Sequence, residues 1–361
     1  MSERLFLVES TQEGLRAALV EDRRLQAIEI DRAAHLTRVG SVTTAKVVRA
    51  VHGIGIFVKL SDGAELLLDR GGPAPKAGDE IAVQITRTAR GDKAGGASRS
   101  VSLPGRGVIH LPGDSGAKLS KRLDTASAKR ATLEALVAGK PGGWIFRRTA
   151  TLVGVADLTA EIATLAAEGR GAGGQGVEIA APDAFRRLAI DYGAKAPDRI
   201  LAAGLAAQRA AERWCRAFAP SLEERIESVP AGLFDLHDLD DAIATLAEPR
   251  VALAGGGSLV IEPTEALTAI DVNAGPEANA LSANLAATAE IARQLRLRHI
   301  GGIIVIDFIS MGRERDQDQV MAALKAAVAD DPSQTYIIPM SPLGLVEMTR
   351  ERRGPGLEIS V

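Results

Sequence analysis

The sequence is poor in cysteine, histidine and aromatic residues. Cys215 is the single cysteine among 361 residues, so no disulfide closes within the chain and no cysteine cage for zinc can form from it. Such usage fits a reducing compartment. Five histidines, His35, His52, His110, His237 and His299, lie scattered with no pair at ligand or acid–base spacing, which argues against histidine-pair catalysis. Aromatics make up only 3%, so aliphatic side chains must fill the core and few rings remain for stacking on bases. No apolar run approaches the roughly 20 residues that span a bilayer. Residues 1–10 carry Glu3 and Arg4 and lack the apolar centre of a signal peptide. The expectation is a soluble, cytoplasmic protein that touches no membrane.

Charge is nearly balanced, at −3 overall, which excludes a histone-like polycation. The balance is uneven along the chain. Between residues 87 and 148 stand thirteen Lys and Arg against four Asp and Glu, a local excess of nine. That segment reads as built for phosphates, with Lys93 in a glycine-rich stretch that suits close backbone approach. The plainer alternative is a solvated face offset by the acid-rich residues 221–248.

Several β runs open the chain. Leu5-Phe6-Leu7-Val8 and residues 25–30 read as strands. Residues 43–51, 55–60, 64–68 and 81–87 follow, separated by turns at His52-Gly53, Ser61-Asp62-Gly63 and Lys76-Ala77-Gly78-Asp79. That spacing suits a small OB-type barrel or a plain β-meander. Residues 155–218 are alanine-rich and mostly helical in pattern, and read as scaffold. Cys215, next to Trp214, reads as packing. Gly255-Gly256-Gly257 lacks the following lysine of a phosphate loop and reads as a hairpin turn.

The C-terminal third predicts β-α-β-α-β, with parallel strands and right-handed crossovers. A strand over 266–270 runs into Asp271-Val272-Asn273. Ser282 is placed to cap a helix with Leu281, Leu285, Ala289, Ala292 and Leu295 on one stripe. Ile303-Ile304-Val305-Ile306 reads as a strand covered on both faces, ending at Asp307. A helix with Val320, Leu324 and Ala327 and a strand over 336–338 complete the unit. Two neighbouring strands thus each deliver an aspartate. Asp271 and Asp307 would repel unless a cation or a proton lay between them. Magnesium suits such a pair, and Asn273 shares the strand face of Asp271. For either aspartate alone, a helix cap or a loop anchor is the plainer reading.

These stretches resemble a known family. "GGGSLVIEPTEALTAIDVNAG", "ATAEIARQLRLRHIGGIIVIDFISM" and "PLGLVEMTRER" resemble the catalytic core of the bacterial ribonuclease E/G family, most specifically over residues 220–353. "RRTA" at 147–150 resembles its RNA 5′-end sensor. The resemblance implies a multidomain α/β fold in five parts. Residues 1–36 and 188–246 form an RNase-H-like scaffold. Residues 37–107 form an OB-type RNA-binding barrel, 108–187 a 5′-sensor region and 247–361 a DNase-I-like catalytic subdomain. It implies a magnesium-dependent endoribonuclease (manganese being the alternative ion) that cleaves single-stranded RNA to 5′-phosphate and 3′-hydroxyl ends. Asp271 and Asp307 hold the metal and Asn273 orients the first carboxylate. Arg148 and Thr149 bind a 5′-monophosphate, and Phe57 matches an aromatic of the RNA-binding barrel. Lys93, by its glycine-rich basic setting rather than by the resemblance, is expected to contact RNA as well.

The sequence departs from the family pattern in four places. Ala274, Gly275 and Pro276 stand where a serine and then a basic residue are usual. Ser310 replaces an acid. A second barrel aromatic is aliphatic, at Leu66 or Leu67. The paired-cysteine zinc link is missing, so no structural zinc and no zinc-linked dimer are expected, and the oligomeric state stays open. The alternative is a catalytically weakened RNA-binding relative.

Overall fold

A computed structural model describes residues 3–32, 39–71, 73–89, 94–121, 123, 127–172, 174, 176–276 and 279–353, with backbone alone at 127 and 128. The chain falls into two units, residues 1–24 with 28–233, and residues 25–27 with 234–361. Among the described residues no helix is long and apolar enough to cross a membrane.

In the first unit, the run Leu5-Phe6-Leu7-Val8 forms the middle of β1 (Arg4–Thr11) and is wholly buried. β1 pairs antiparallel with β2 (Gly14–Glu21), and β3 (Arg24–Ile30) follows. Next come β4 (Val42–Val51), β5 (Gly55–Lys59), β6 (Glu65–Leu68), β7 (Glu80–Arg87) and β8 (Gly95–Ser98). They close into a barrel in the order β4-β5-β6-β8-β7. Only β6 and β8 pair in parallel, as in an OB-type barrel. Small and branched aliphatics, among them Ala45, Val47, Val58, Leu68 and Val83, fill its inside without a ring.

A four-stranded sheet comes next, from β9 (Leu103–Pro104), β10 (Val108–Leu111), β11 (Gly116–Leu119) and, after α1 (Ser127–Leu136), β12 (Gly143–Phe146). The alanine-rich stretch supplies α2 (Val155–Glu168), α3 (Ala184–Tyr192) and α4 (Leu205–Phe218). It also supplies β13 (Arg199–Ala203), where helix was expected. Pairing decided that local ambiguity: β13 runs parallel to β1 on one side and to β14 (Ile226–Val229) on the other. The scarce rings concentrate here. Phe185 meets Phe6 edge-on at 6.3 Å and Trp214 at 5.6 Å, seating α3 and α4 on the sheet. Cys215 is buried, as its packing role predicts.

In the second unit, the short helices α5 (Leu233–Leu236) and α6 (Leu239–Ala244) precede a six-stranded sheet. Its members are β15 (Arg250–Ala252), β16 (Ser258–Pro263), β17 (Leu267–Asn273), β18 (Gly302–Asp307), β19 (Thr335–Ile337) and β20 (Leu345–Arg350). The spatial order is β15-β16-β17-β18-β20-β19. The glycine run is a hairpin turn between β15 and β16, with Gly255 and Gly256 at φ 93° and 89°, where a side chain would be strained.

Three expectations need correction here. The β17-α7-β18 unit, with α7 at Ala280–Leu297, is parallel as expected. Beyond it the sheet is mixed, because the chain turns back after β19 and inserts β20 antiparallel between β18 and β19. α7 and α8 (Glu314–Ala327) cover one face only. Ile304 and Ile306 are buried against them, whereas Ile303 is 52% exposed. Finally, Asn279 caps α7 by accepting from the Ser282 amide at 2.8 Å, so Ser282 lies one turn inside.

Candidate functional site

Strand alternation builds the site. In β17, Thr268, Ile270 and Val272 point into the core, which turns Leu267, Ala269, Asp271 and Asn273 to the opposite, helix-free face. In β18, Ile304 and Ile306 do the same for Asp307. Asp271 and Asp307 are direct partners in the parallel ladder, which sets their backbones about 4.8 Å apart. Both are exposed. Asn273 donates its Nδ2 hydrogen to Oδ2 of Asp271 at 2.7 Å. All three expected residues therefore meet on one patch, and the bond from Asn273 leaves Asp271 Oδ1 free of that partner.

The backbone behind this patch is tightly packed. A Cβ at Gly257 would stand 2.5 Å from the Asn273 carbonyl oxygen, and one at Gly275 would stand 2.4 Å from the Gly256 carbonyl oxygen. Glycine on both sides lets the β15–β16 turn abut the segment that follows Asn273.

The donor set fits a hard divalent cation. Two like-charged carboxylates held side by side on an open face favour one, and magnesium takes one or two carboxylates while keeping water and phosphate oxygens. Among the described residues no three His, Cys, Asp or Glu side chains group to hold a metal, so an ion here would rest on the aspartate pair.

Arg148 and Thr149 open a 3-10 turn, Arg148–Thr151, directly after β12, and both are half-buried. The Thr149 hydroxyl donates to the Arg106 carbonyl at 2.5 Å. The two residues are adjacent as expected, with the threonine already engaged. The basic segment is not uniformly available for phosphates. Arg147 donates to the carbonyls of Gly105 and Ile190 at 2.6 and 2.9 Å. Arg106 is buried, bonds the Phe218 carbonyl at 2.5 Å, and lies 3.3 Å from Glu161 and 3.5 Å from Asp157. Glu161 also accepts from the amides of Gly107 and Val108 at 2.9 and 3.0 Å. These arginines hold the region together, a role that charge counting could not separate from ligand binding. On β10, His110 is buried against Trp144 with ring centroids 4.0 Å apart, and burial holds its pKa below the usual imidazole value.

On the barrel, Phe57 is half-buried in β5. The Arg49 guanidinium lies 4.5 Å from its ring centroid and is held by Glu65 at 2.8 Å. Leu67 is the partner of Phe57 on β6. Leu67, the strand partner of Phe57, is half-buried, whereas Leu66 is interior. Sequence reasoning missed Arg49, although the short hairpin between β4 and β5 was a signal that could have aligned it with Phe57. Lys93 lies outside the described residues.

A family model described as the ribonuclease E/G family matches residues 102–353. The chain belongs to the ribonuclease E/G family. Ribonuclease G of Escherichia coli is 29% identical over 395 residues, spanning 98% of this chain and 81% of that protein. Ribonuclease G of Salmonella typhimurium is 30% identical over the same shares. Ribonuclease E of Synechocystis is 32% identical over 301 residues, spanning 77% of this chain and 44% of that protein. The ribonuclease E/G match contains Arg148, Thr149, Asp271, Asn273 and Asp307. Phe57 lies outside it, within the likeness to ribonuclease G.

Proposed function

We propose that the chain is a magnesium-dependent endoribonuclease that hydrolyses single-stranded RNA to 5′-phosphate and 3′-hydroxyl ends, in cytoplasmic RNA processing or decay. The ribonuclease part rests on family membership. The observation that carries the chemistry is the ladder pair Asp271–Asp307 on an open face, with Asn273 bonded to the first carboxylate. Asp271 and Asp307 would hold the ion. Its chemistry there would be Lewis acidity and positive charge set against the scissile phosphate. Asn273 fixes the rotation of Asp271, and the sheet fixes the spacing of the pair. In this reading residues 247–361, within the second unit, are the DNase-I-like part. The RNase-H-like reading of the scaffold is supported by the order β3-β2-β1-β13-β14, an antiparallel meander extended by two parallel strands.

We also propose a preference for 5′-monophosphorylated RNA through Arg148 and Thr149. An arginine beside a hydroxyl suits a phosphate, and the Thr149 hydroxyl must turn from the Arg106 carbonyl to donate to one. The test uses short A/U-rich RNA carrying a 5′-monophosphate or a 5′-hydroxyl, with and without magnesium. Cleavage is expected only with the ion, and Asp307→Asn lowers it on the order of 10²–10³-fold. Products ending in 2′,3′-cyclic phosphate, or full activity in Asp307→Asn, refute the mechanism. Equal rates on the two substrates remove the 5′-end preference. Binding without cleavage under any metal leaves the weakened relative.

A further inference from the structure

One buried polar side chain in the second unit has no part in the chemistry above. Asn284 lies in the second turn of α7, 0% exposed, on a stripe otherwise lined by Ala283, Ala287, Thr288 and Ile291. Burying a carboxamide is unfavourable unless each polar atom is bonded. Both are, and on the same residue. Asn284 Nδ2 donates to the Ile309 carbonyl at 2.8 Å, and Asn284 Oδ1 accepts from the Ile309 amide at 3.0 Å.

Ile309 sits two residues past Asp307. The ladder between β18 and β20 stops at Asp307, paired with Leu345. Beyond that point the Ile309 amide and carbonyl are bonded by the Asn284 carboxamide instead of a strand. The carboxamide supplies the donor and the acceptor that a further strand residue would have supplied. Phe308, between the two, is 3% exposed among the helix-facing residues. Gln317 of α8 holds the far side of the turn by donating to the Met311 carbonyl at 3.1 Å. The main chain is thus fixed on both sides of Asp307, by the ladder before it and by Asn284 after it.

We propose that Asn284 is a positioning residue for the metal-binding carboxylate of Asp307. It never touches ion or RNA, and sets where the Asp307 carboxylate stands relative to Asp271. The inference rests on the reading of the two aspartates as the magnesium site. It explains why an asparagine occupies a core position where leucine would pack more favourably.

The test compares the parent chain with Asn284→Leu, which keeps volume and removes both bonds, and Asn284→Asp, which keeps shape and, when ionised, removes the donor. Mn2+ binding to the metal-free protein is followed by loss of the free-ion electron paramagnetic signal. Hydrogen exchange is followed across residues 306–312, and cleavage gives kcat and KM. Both variants are expected to melt cooperatively, to exchange faster over 306–312 and to bind Mn2+ about tenfold more weakly. Their kcat should fall roughly 10- to 100-fold, as a misplacement near 1 Å implies, with KM within about twofold. Parent values of Mn2+ affinity and kcat alongside faster exchange overturn the proposal. So does a loss of kcat that disappears on cooling in step with recovered folding. If Asn284→Leu does not fold, Asn284→Asp decides by the same readings. A parent that binds Mn2+ but cleaves no RNA ends the nuclease reading, while the difference in Mn2+ affinity still decides the role of Asn284. A parent that binds no Mn2+ overturns both.

Discussion

Gly257→Ala probes the candidate site without touching a functional side chain. The new methyl group would stand 2.5 Å from the Asn273 carbonyl oxygen, whereas ordinary contact begins near 3.4 Å. Relief requires about 1 Å of movement. The hairpin is poorly placed to give way, because Gly257 accepts from the Leu253 amide at 2.8 Å and Ser258 is the ladder partner of Asn273. The displacement therefore falls on Asn273 and, through its 2.7 Å bond, on Asp271. Overpacking of this kind costs about 1–3 kcal/mol of stability. A shift of that size at a catalytic group costs on the order of 10²-fold in rate. Gly312→Ala is the matched control, since nothing lies within 4 Å of its added Cβ and its φ is not in the left-handed region. The assay is cleavage at saturating magnesium, with melting curves for both variants. If Gly257→Ala keeps the parent kcat and melting temperature, the tight packing behind the site has no bearing on the chemistry.

Further consequences follow from buried groups. Asp331→Ala should lower second-unit stability by about 3–5 kcal/mol, because it strands the buried Arg350 charge. Two bonds of 2.9 Å now pair them, and an unchanged urea midpoint would count against this. Burial holds the folded His110 pKa below the usual 6.5, so the unfolded chain takes up its proton first as pH falls. Its contribution to stability is full above that pH and is lost as pH falls towards the lowered folded value, and urea midpoints from neutral to mildly acidic pH should lose that part of the slope in His110→Phe. The Cys215 thiol is buried and pushed up to about 12, so a thiol reagent should label it only as the chain unfolds, and rapid labelling of the native protein would contradict its packing role.

Period and apolar runs made much of the fold legible. The core strand at Leu5–Val8, four of the five barrel strands, the glycine hairpin and the helices around Leu295 and Leu324 follow from side-chain alternation and turn chemistry, whereas the closing strand β8, Gly-Gly-Ala-Ser, carries no such pattern. What escaped depended on distant partners. β2 and β13 are rich in alanine, leucine and arginine, which favour helix in isolation, and become strands because β1 offers them its edges. β20 was illegible as the neighbour of β18, because an inserted antiparallel strand leaves no mark on local spacing. At the site, the aspartate pair and Asn273 were readable because strand period fixes facing. Arg49 over Phe57, Arg106 among its acids and Asn284 on Ile309 were not, since each depends on which segment folds back onto which.

The insertion of β20 orders events during synthesis. β18 leaves the ribosome well before its neighbour β20, and one of its sides stays bare until Leu345–Arg350 has been translated. Until then the nascent chain exposes a hydrophobic strand edge carrying Asp307, the kind of template that invites pairing with another polypeptide. A premature stop about a dozen codons before Arg350 should therefore yield an aggregate, even though every residue proposed for catalysis has already been made.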